Sequence, residues 1–164
     1  MKNAQIRNIR TLSLVEIEQY FEELGEKKFR AKQVWEWLWQ KHAMSFADMT
    51  NLSKDLRQKL GETFSFPALT VNSTQYSADG TVKTGFKTFD GHLVEGVLIP
   101  TEKRYTACVS SQIGCSLSCK FCATGYIDRK RNLNFDEIYD EVVLINQQSE
   151  RIYNHKLTNI VFMG

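Results

Sequence analysis

All four cysteines of the chain lie in one short stretch, CVSSQIGCSLSCKFCATG. Cys115, Cys119 and Cys122 form a C-x3-C-x2-C array, and Cys108 stands alone upstream of it. Thiolates are soft ligands that suit Zn²⁺ or iron–sulfur clusters. Three thiols with unequal gaps in one loop can occupy three corners of a cubane cluster and leave one iron open. The spacing therefore predicts that these three cysteines bind a [4Fe–4S] cluster.

Two other interpretations of the cysteines stay open at this point. Cys108 can complete a four-cysteine zinc site, although structural zinc sites usually place their ligands as two distant pairs. The cysteines can also be small core residues without a ligand. With the aromatic Phe121 directly before the third cysteine, the array resembles the radical-SAM signature. That resemblance implies S-adenosylmethionine (SAM) as a ligand of the open iron.

Composition and charge place few limits on function. The chain has 164 residues, 42% of them hydrophobic, and a formal net charge of only +2. No overall basic character indicates a nucleic-acid partner, so such a surface has to be local. The N-terminus lacks the apolar core of a secretory signal, and no apolar run is long enough for a membrane helix. We therefore expect a cytoplasmic chain with reduced thiols and no membrane partner, and composition does not indicate its oligomeric state.

The first part of the chain has the pattern of a small helical module. Ser13 and Glu16 form an S-x-x-E capping box, and Gly25 is placed to end that helix. Two further amphipathic segments are predicted, from Phe29 to Lys41 and from Leu52 to Gly61.

The pattern then changes to short strands. "ALTVNSTQY", "TVKTGFKTF", "HLVEGVLIP" and "YTACVSS" are rich in β-branched and aromatic residues, with turn signals at Asp79-Gly80 and Asp90-Gly91. After the cysteine loop, Asn134 and Glu137 predict a second capping box at the start of a helix. Its buried face is expected to carry Phe135, Ile138, Val142 and Ile145. "LTNIVFMG" then predicts a fully buried strand.

This order predicts an α+β N-terminal part, a small helical domain plus a β meander, followed by the first βαβ unit of an α/β partial barrel. We assign residues 1–66 to the helical domain, 67–104 to a β extension and 105–164 to the start of the barrel. The cysteine loop follows a strand at its carboxyl end, where such barrels place their chemistry. Because one βαβ unit cannot close a barrel, we expect a piece of a longer protein.

Several motifs together resemble the RlmN family of radical-SAM RNA methyltransferases. They are "KKFRAKQVWEWLWQK" and "SFADMTNLSKDLRQKL" in the helical part, "DGHLVEGVLIP" before the cysteines, and "RKRNLNFDEI" and "TNIVFMG" after them. The resemblance covers nearly the whole chain and implies a radical SAM core with an RNA-binding accessory domain at residues 1–66. It implies methylation of carbon 2 of adenine in 23S rRNA and tRNA, with a [4Fe–4S] cluster, SAM and an electron donor for the cluster.

The resemblance also implies roles for single residues. Cys115, Cys119 and Cys122 match the cluster ligands. Cys108 matches a reactive cysteine that helps to remove a proton from the methylated adenine and resolves a covalent protein–RNA adduct through a transient disulfide. Glu95 matches the acidic proton acceptor near the substrate base. The methyl-carrying cysteine and the Gly-Glu-Pro SAM contacts of the family are not in this sequence, so we expect the chain alone to be inactive.

Two alternative functions stay open beside this one. The first is a Cfr-like methyltransferase acting on carbon 8 of the same ribosomal adenine, which shares most of these motifs. The second is a non-catalytic RNA-binding module with a four-cysteine zinc site. In either case Arg129, Lys130 and Arg131 could contact phosphates near the loop, as could the basic residues that begin the second helix.

Overall fold

The fold was taken from a computed structural model, which describes residues 6–117 and 119–163. Its contacts divide the chain into two compact units, Met1–Pro67 and Ala68–Gly164. In the described part of the chain, none of the helices combines the length and apolar character needed to cross a bilayer.

The first unit is built from three helices, α1 (Leu14–Glu23), α2 (Lys28–Trp39) and α3 (Lys54–Thr63). A short parallel pair, β1 (Arg7–Asn8) and β2 (Phe64–Ser65), brings the two ends of the unit together.

The predicted box at the start of α1 is confirmed. The Ser13 amide donates to Glu16 at 2.7 Å and the Glu16 amide donates to the Ser13 hydroxyl at 3.3 Å. Helix α3 runs two residues past the predicted end at Gly61, because a helix interior tolerates glycine at a cost of only about 1 kcal/mol.

One apolar cluster holds the three helices together. Phe21 from α1, Leu38 from α2 and Leu60 from α3 are completely buried in it. Full burial of such a side chain contributes about 1.5–3 kcal/mol. Each helix therefore presents one apolar stripe to a shared core, as the helical spacing predicted.

The second unit is a five-stranded sheet with one helix across it. A meander of β3 (Thr70–Tyr76), β4 (Val82–Lys87), β5 (Leu93–Pro100) and β6 (Tyr105–Ser110) is antiparallel. The chain then forms the short strands β7 (Gln112–Ile113) and β8 (Arg131–Asn132), the helix α4 (Phe135–Tyr153) and β9 (Asn159–Met163). Strand β9 pairs in parallel with β6, which gives the sheet order β3-β4-β5-β6-β9.

The fold class is confirmed: a small helical part and a β meander are followed by a βαβ unit made of β6, α4 and β9. The strands of residues 67–104 and those of 105–164 share one sheet. The division into three functional domains stays a prediction.

Two details of the second unit differ from the sequence prediction. Strand β9 is not buried: its residues are exposed, Phe162 and Met163 at 62% each. The reason is that β9 lies at an edge of the sheet and pairs only with β6 among the described strands. Phe135, expected on the buried face of α4, is 56% exposed at the first position of the helix.

Candidate functional site

One face of the sheet carries a cavity of about 340 Å³. Along β5 and β6 the side chains alternate, so that Val94, Leu98 and Ala107 are buried while Glu95 and Cys108 belong to the opposite face. The cavity is lined by Glu95, Val97, Ile99, Cys108, Val109, Ser110, Gln112, Cys122, Thr124 and Met163. Strands β5, β6 and β9 and the cysteine loop all contribute to it.

Glu95 lies at one side of the cavity. Its carboxylate is 3.1 Å from the ammonium group of Lys83 on the neighbouring strand β4, and both side chains are partly solvated. The Ser110 hydroxyl donates to the main-chain oxygen of Glu95 at 2.9 Å, which fixes the strand below the carboxylate. A carboxylate so placed is accessible to a ligand in the cavity.

Cys108 lies in the middle of the same face. It is opposite Val97 on β5 and opposite Val161 on β9. Its thiol is free and partly exposed. The strand register therefore brings Cys108 and Glu95 to one cavity, although thirteen positions separate them in the sequence.

The cysteine loop is a closed turn held by backbone contacts. The Cys115 amide donates to the Ile127 carbonyl at 3.0 Å, and the Cys122 amide donates to the Cys119 carbonyl at 3.1 Å. A Cβ at Gly125 would lie 2.6 Å from that same Cys119 oxygen, so only glycine fits at this position. At Gly114 the backbone adopts a φ of +69°, which glycine accepts without strain.

Two of the three array thiols accept backbone hydrogen bonds. The Leu117 amide donates to the Cys115 sulfur at 3.5 Å. The backbone N–H groups of Gly125 and Thr124 lower the pKa of the Cys122 thiol. Such donors favour the thiolate, which is the form that binds metals. The donor set therefore fits a thiolate-bound cluster.

The structure does not bring all three array cysteines into one ligand group. Within residues 6–117 and 119–163, no group of three or more His, Cys, Asp or Glu side chains is arranged to hold a metal ion. Cys122 lines the cavity, whereas Cys115 is buried in the loop. Their assignment as cluster ligands stays a prediction.

The base of the loop has a charged network that the sequence did not reveal. Arg131, expected as a phosphate contact, donates instead to Asp90 and Glu137 at 2.6–3.0 Å. Arg129 donates to Gln112 at 3.2 Å and to Asn132 at 2.7 Å.

A second unexpected feature lies under the cavity, where Glu141 of α4 is fully buried. It accepts the Ser110 amide at 3.0 Å, while its other carboxyl oxygen has no partner among the described residues. Burial raises the pKa of Glu141 to about 8, opposed by the Ser110 amide and assisted by the nearby Glu137. At neutral pH the folded chain therefore holds this carboxyl mainly in its protonated form.

Comparisons with known proteins show which proteins the chain is similar to. Residues 7–65 match the family described as the ribosomal RNA large subunit methyltransferase N-terminal domain. A probable dual-specificity RNA methyltransferase RlmN from Cytophaga hutchinsonii is 59% identical over 95% of this chain and 43% of its own length. The dual-specificity RNA methyltransferase RlmN of Geotalea uraniireducens is 46% identical over 96% of the chain and 44% of its own length.

A solved structure supports the fold. The crystal structure of a radical SAM methyltransferase from Sphaerobacter thermophilus superposes with a TM-score of 0.80 and 35% identity, over 95% of this chain and 47% of that one. The fold is thus that of the corresponding part of a radical SAM methyltransferase. Over the part that it spans, the chain is similar to the RlmN family, with 59% and 46% identity to these two relatives. It spans less than half the length of these relatives.

Proposed function

We propose that this chain is the N-terminal part of a radical SAM methyltransferase that methylates carbon 2 of adenine in 23S rRNA and tRNA. The observation that carries the proposal is the shared cavity: Glu95, Cys108 and Cys122 come from three different segments and line it together. Each of the three matches a functional residue of the family that the sequence resembles. A chain that used its cysteines only for packing would not need this convergence.

Cys115, Cys119 and Cys122 would hold the [4Fe–4S] cluster. Their loop is closed by backbone hydrogen bonds, and amides donate to two of the sulfurs. When bound, the cluster with SAM and an electron donor supplies one-electron cleavage of the sulfonium bond. Thr124 and Met163 line the same cavity, which is where SAM would lie beside Cys122.

Glu95 would accept the proton that the adenine ring loses at the methylated carbon. Its carboxylate is at the cavity and is partly solvated, so that a proton can leave to water. The ion pair with Lys83 holds one carboxylate oxygen and leaves the other for the base. A carboxylate in this position would act as the general base for an adenine bound in the cavity.

Cys108 would release the product from the protein. Its thiolate attacks the sulfur of a second cysteine that is bonded to the methylene on adenine, a cysteine outside the four of this chain. An S–S bond forms, the S–C bond breaks with its electron pair on carbon, and a proton completes the methyl group. A cellular thiol reductant then returns the disulfide to two thiols.

The first unit would bind the RNA. It coincides with the region that matches the methyltransferase N-terminal domain, and Lys27, Lys28 and Lys32 lie exposed near the start of α2. Such lysines neutralise phosphates without reading sequence. An RNA substrate and reduced thiols both suit a cytoplasmic location.

Mass spectrometry of RNA modified by the longer protein that contains this chain tests the proposal. The expected product is 2-methyladenine, lost in a Glu95→Gln variant, while a Cys108→Ala variant accumulates a covalent protein–RNA adduct. Methylation at carbon 8 would replace the proposal by the Cfr-like alternative, against which the RlmN relatives argue. A colourless protein with one zinc per chain would indicate the non-catalytic module.

A further inference from the structure

The cysteine loop joins the sheet through a narrow neck made of β7 and β8. In this neck Gln112 pairs with Asn132 and Ile113 with Arg131. The Lys130 amide donates to the Ile113 carbonyl at 2.8 Å. All three array cysteines lie between the two sides of the neck. The position of the neck therefore decides where the whole loop lies.

The side chain of Arg131 holds this neck from outside. It donates to the Asp90 carboxylate through Nε and Nη2 at 2.8 and 3.0 Å. It donates to the Glu137 carboxylate through Nη1 and Nη2 at 2.6 and 2.8 Å. Nη1 also reaches the carbonyl of Asn132 at 3.1 Å, and the guanidinium lies 5.2 Å from the Phe89 ring centroid. The planar group is thus shared between two bidentate pairs.

Because the partners of Arg131 are charged and partly buried, another residue cannot easily take its place. The Glu137 side chain is only 6% exposed, and that of Arg131 is 25% exposed. Hydrogen bonds from Arg131 hold the pKa of Asp90 below its ordinary value. A lysine brings a point charge with a different donor geometry and cannot make two bidentate pairs at once. A neutral residue would leave a buried carboxylate without its cation.

The two carboxylates belong to the elements that support the cavity. Asp90 lies in the turn between β4 and β5, shortly before Glu95. Glu137 accepts the Asn134 amide at 2.8 Å and so caps α4, the helix whose Glu141 binds the Ser110 amide. Arg131 therefore connects the neck of the loop to the Glu95 strand and to the helix under Ser110.

We propose that Arg131 is a positioning residue that fixes the cysteine loop relative to the strand that carries Glu95. The proposal rests on the proposed function, because it takes the loop to be the cluster-binding element. The arginine acts through the neck, since its side chain is committed to Asp90 and Glu137. This role differs from the phosphate contact that its position in a basic run indicates.

Amide hydrogen exchange in the chain without iron tests directly whether Arg131 holds the neck of the loop. Arg131→Lys is expected to speed exchange of the Cys115 and Lys130 amides about tenfold, the effect of losing a charged hydrogen bond. The matched control is Arg129→Lys, the same change beside the same neck. Its hydrogen bonds to Gln112 and Asn132 are solvent-exposed and involve no carboxylate, so the expected change is under about twofold. Unchanged protection in β3, β4 and β5 reports intact folding. Equal exchange in the two variants would overturn the proposal.

Iron retention tests the consequence for the cluster. After anaerobic reconstitution, Arg131→Lys is expected to release iron to a chelator about tenfold faster than Arg129→Lys and to broaden the electron paramagnetic resonance of the reduced cluster. Equal rates and equal spectra would count against positioning. A parent chain that binds no iron would contradict the proposed cluster. The exchange data would still show whether Arg131 positions the loop. If Arg131→Lys fails to fold, Asp90→Asn, which weakens only one pair, gives the same comparison.

Discussion

Replacing Glu141 by glutamine should stabilise the second unit at neutral pH. Glu141 is fully buried, and its pKa is raised from 4.5 to about 8, with burial as the largest cause. The folded chain therefore holds a neutral carboxyl where the unfolded chain holds a carboxylate. Glutamine keeps an oxygen that accepts the Ser110 amide and cannot ionise.

The magnitude follows from linkage. Because the folded pKa lies above the unfolded one, the contribution of Glu141 to stability is fully present below pH 4.5 and is lost as the pH rises toward about 8. Each pH unit within that window costs about 1.4 kcal/mol. At about pH 7.5 the Glu141→Gln chain should be roughly 2–4 kcal/mol more stable than the parent, and at about pH 4.5 the two should be nearly equal.

The assay is urea unfolding followed by far-ultraviolet circular dichroism across this pH range, with amide exchange in α4 as a local readout. Tryptophan fluorescence would report the wrong unit, since Trp35, Trp37 and Trp39 all lie in α2. Glu150→Gln on the same helix is the control. Glu150 is exposed, and its ion pair with Lys156 at 3.9 Å is a weak surface pair. A Glu141→Gln chain with the parental pH slope would refute the buried neutral carboxyl.

Three further outcomes are expected. In Gly96→Ala the new Cβ would lie 2.7 Å from the Ile145 side chain and 2.9 Å from Phe86. The free energy of unfolding in urea should therefore fall by about 1–3 kcal/mol. An unchanged unfolding midpoint would contradict this packing. Leu38→Ala empties a fully buried position and should cost about 2–5 kcal/mol by tryptophan fluorescence; a loss below about 1 kcal/mol would argue against that core. The pKa of Asp90 is lowered by Arg131, so its contribution is present above the ordinary value of 3.8 and is lost as the pH falls toward the folded pKa. Asp90→Asn should flatten the acid limb of the stability profile, and an identical acid limb would disprove the pairing.

Local features of the fold could be predicted because their partners are near in sequence. Ser13 and Glu16 form their capping box within one helical turn. Gly80 and Gly91 follow aspartates in the meander and adopt φ values of +86° and +84°. Such positions favour glycine, so the sequence alone marks both turns.

The burial of Asp140 and Glu141 could not be predicted, because the amides that donate to them are distant in sequence. Asp136, Glu137, Asp140 and Glu141 have the composition of a solvated helix start, yet all four are buried. Asp140 accepts a hydrogen bond from the Leu69 amide at 3.0 Å, although the whole β meander lies between the two residues in the sequence. Burial of a carboxyl depends on such a donor, and helical spacing carries no information about it.

The candidate site was predicted only in part, because some of its features are local in sequence and others depend on contacts between distant segments. Cysteine spacing indicates a ligand loop, and resemblance to the family indicates Cys108 and Glu95. That Cys108 and Glu95 share a cavity depends on the register of β5 and β6, which the sequence does not specify. The role of Arg131 was missed because its basic neighbours indicate a charged surface, whereas its carboxylate partners come from two other elements.

The iron content of the anaerobically reconstituted chain decides between an iron–sulfur cluster and a zinc site. We expect a brown, oxygen-sensitive protein with about four irons per chain, retained in a Cys108→Ala variant and lost in a Cys119→Ala variant. Equal iron loss in both variants would contradict the division between cluster ligands and the reactive thiol. A parent chain that binds one zinc and no iron would contradict the assignment of the cysteine loop as a cluster site.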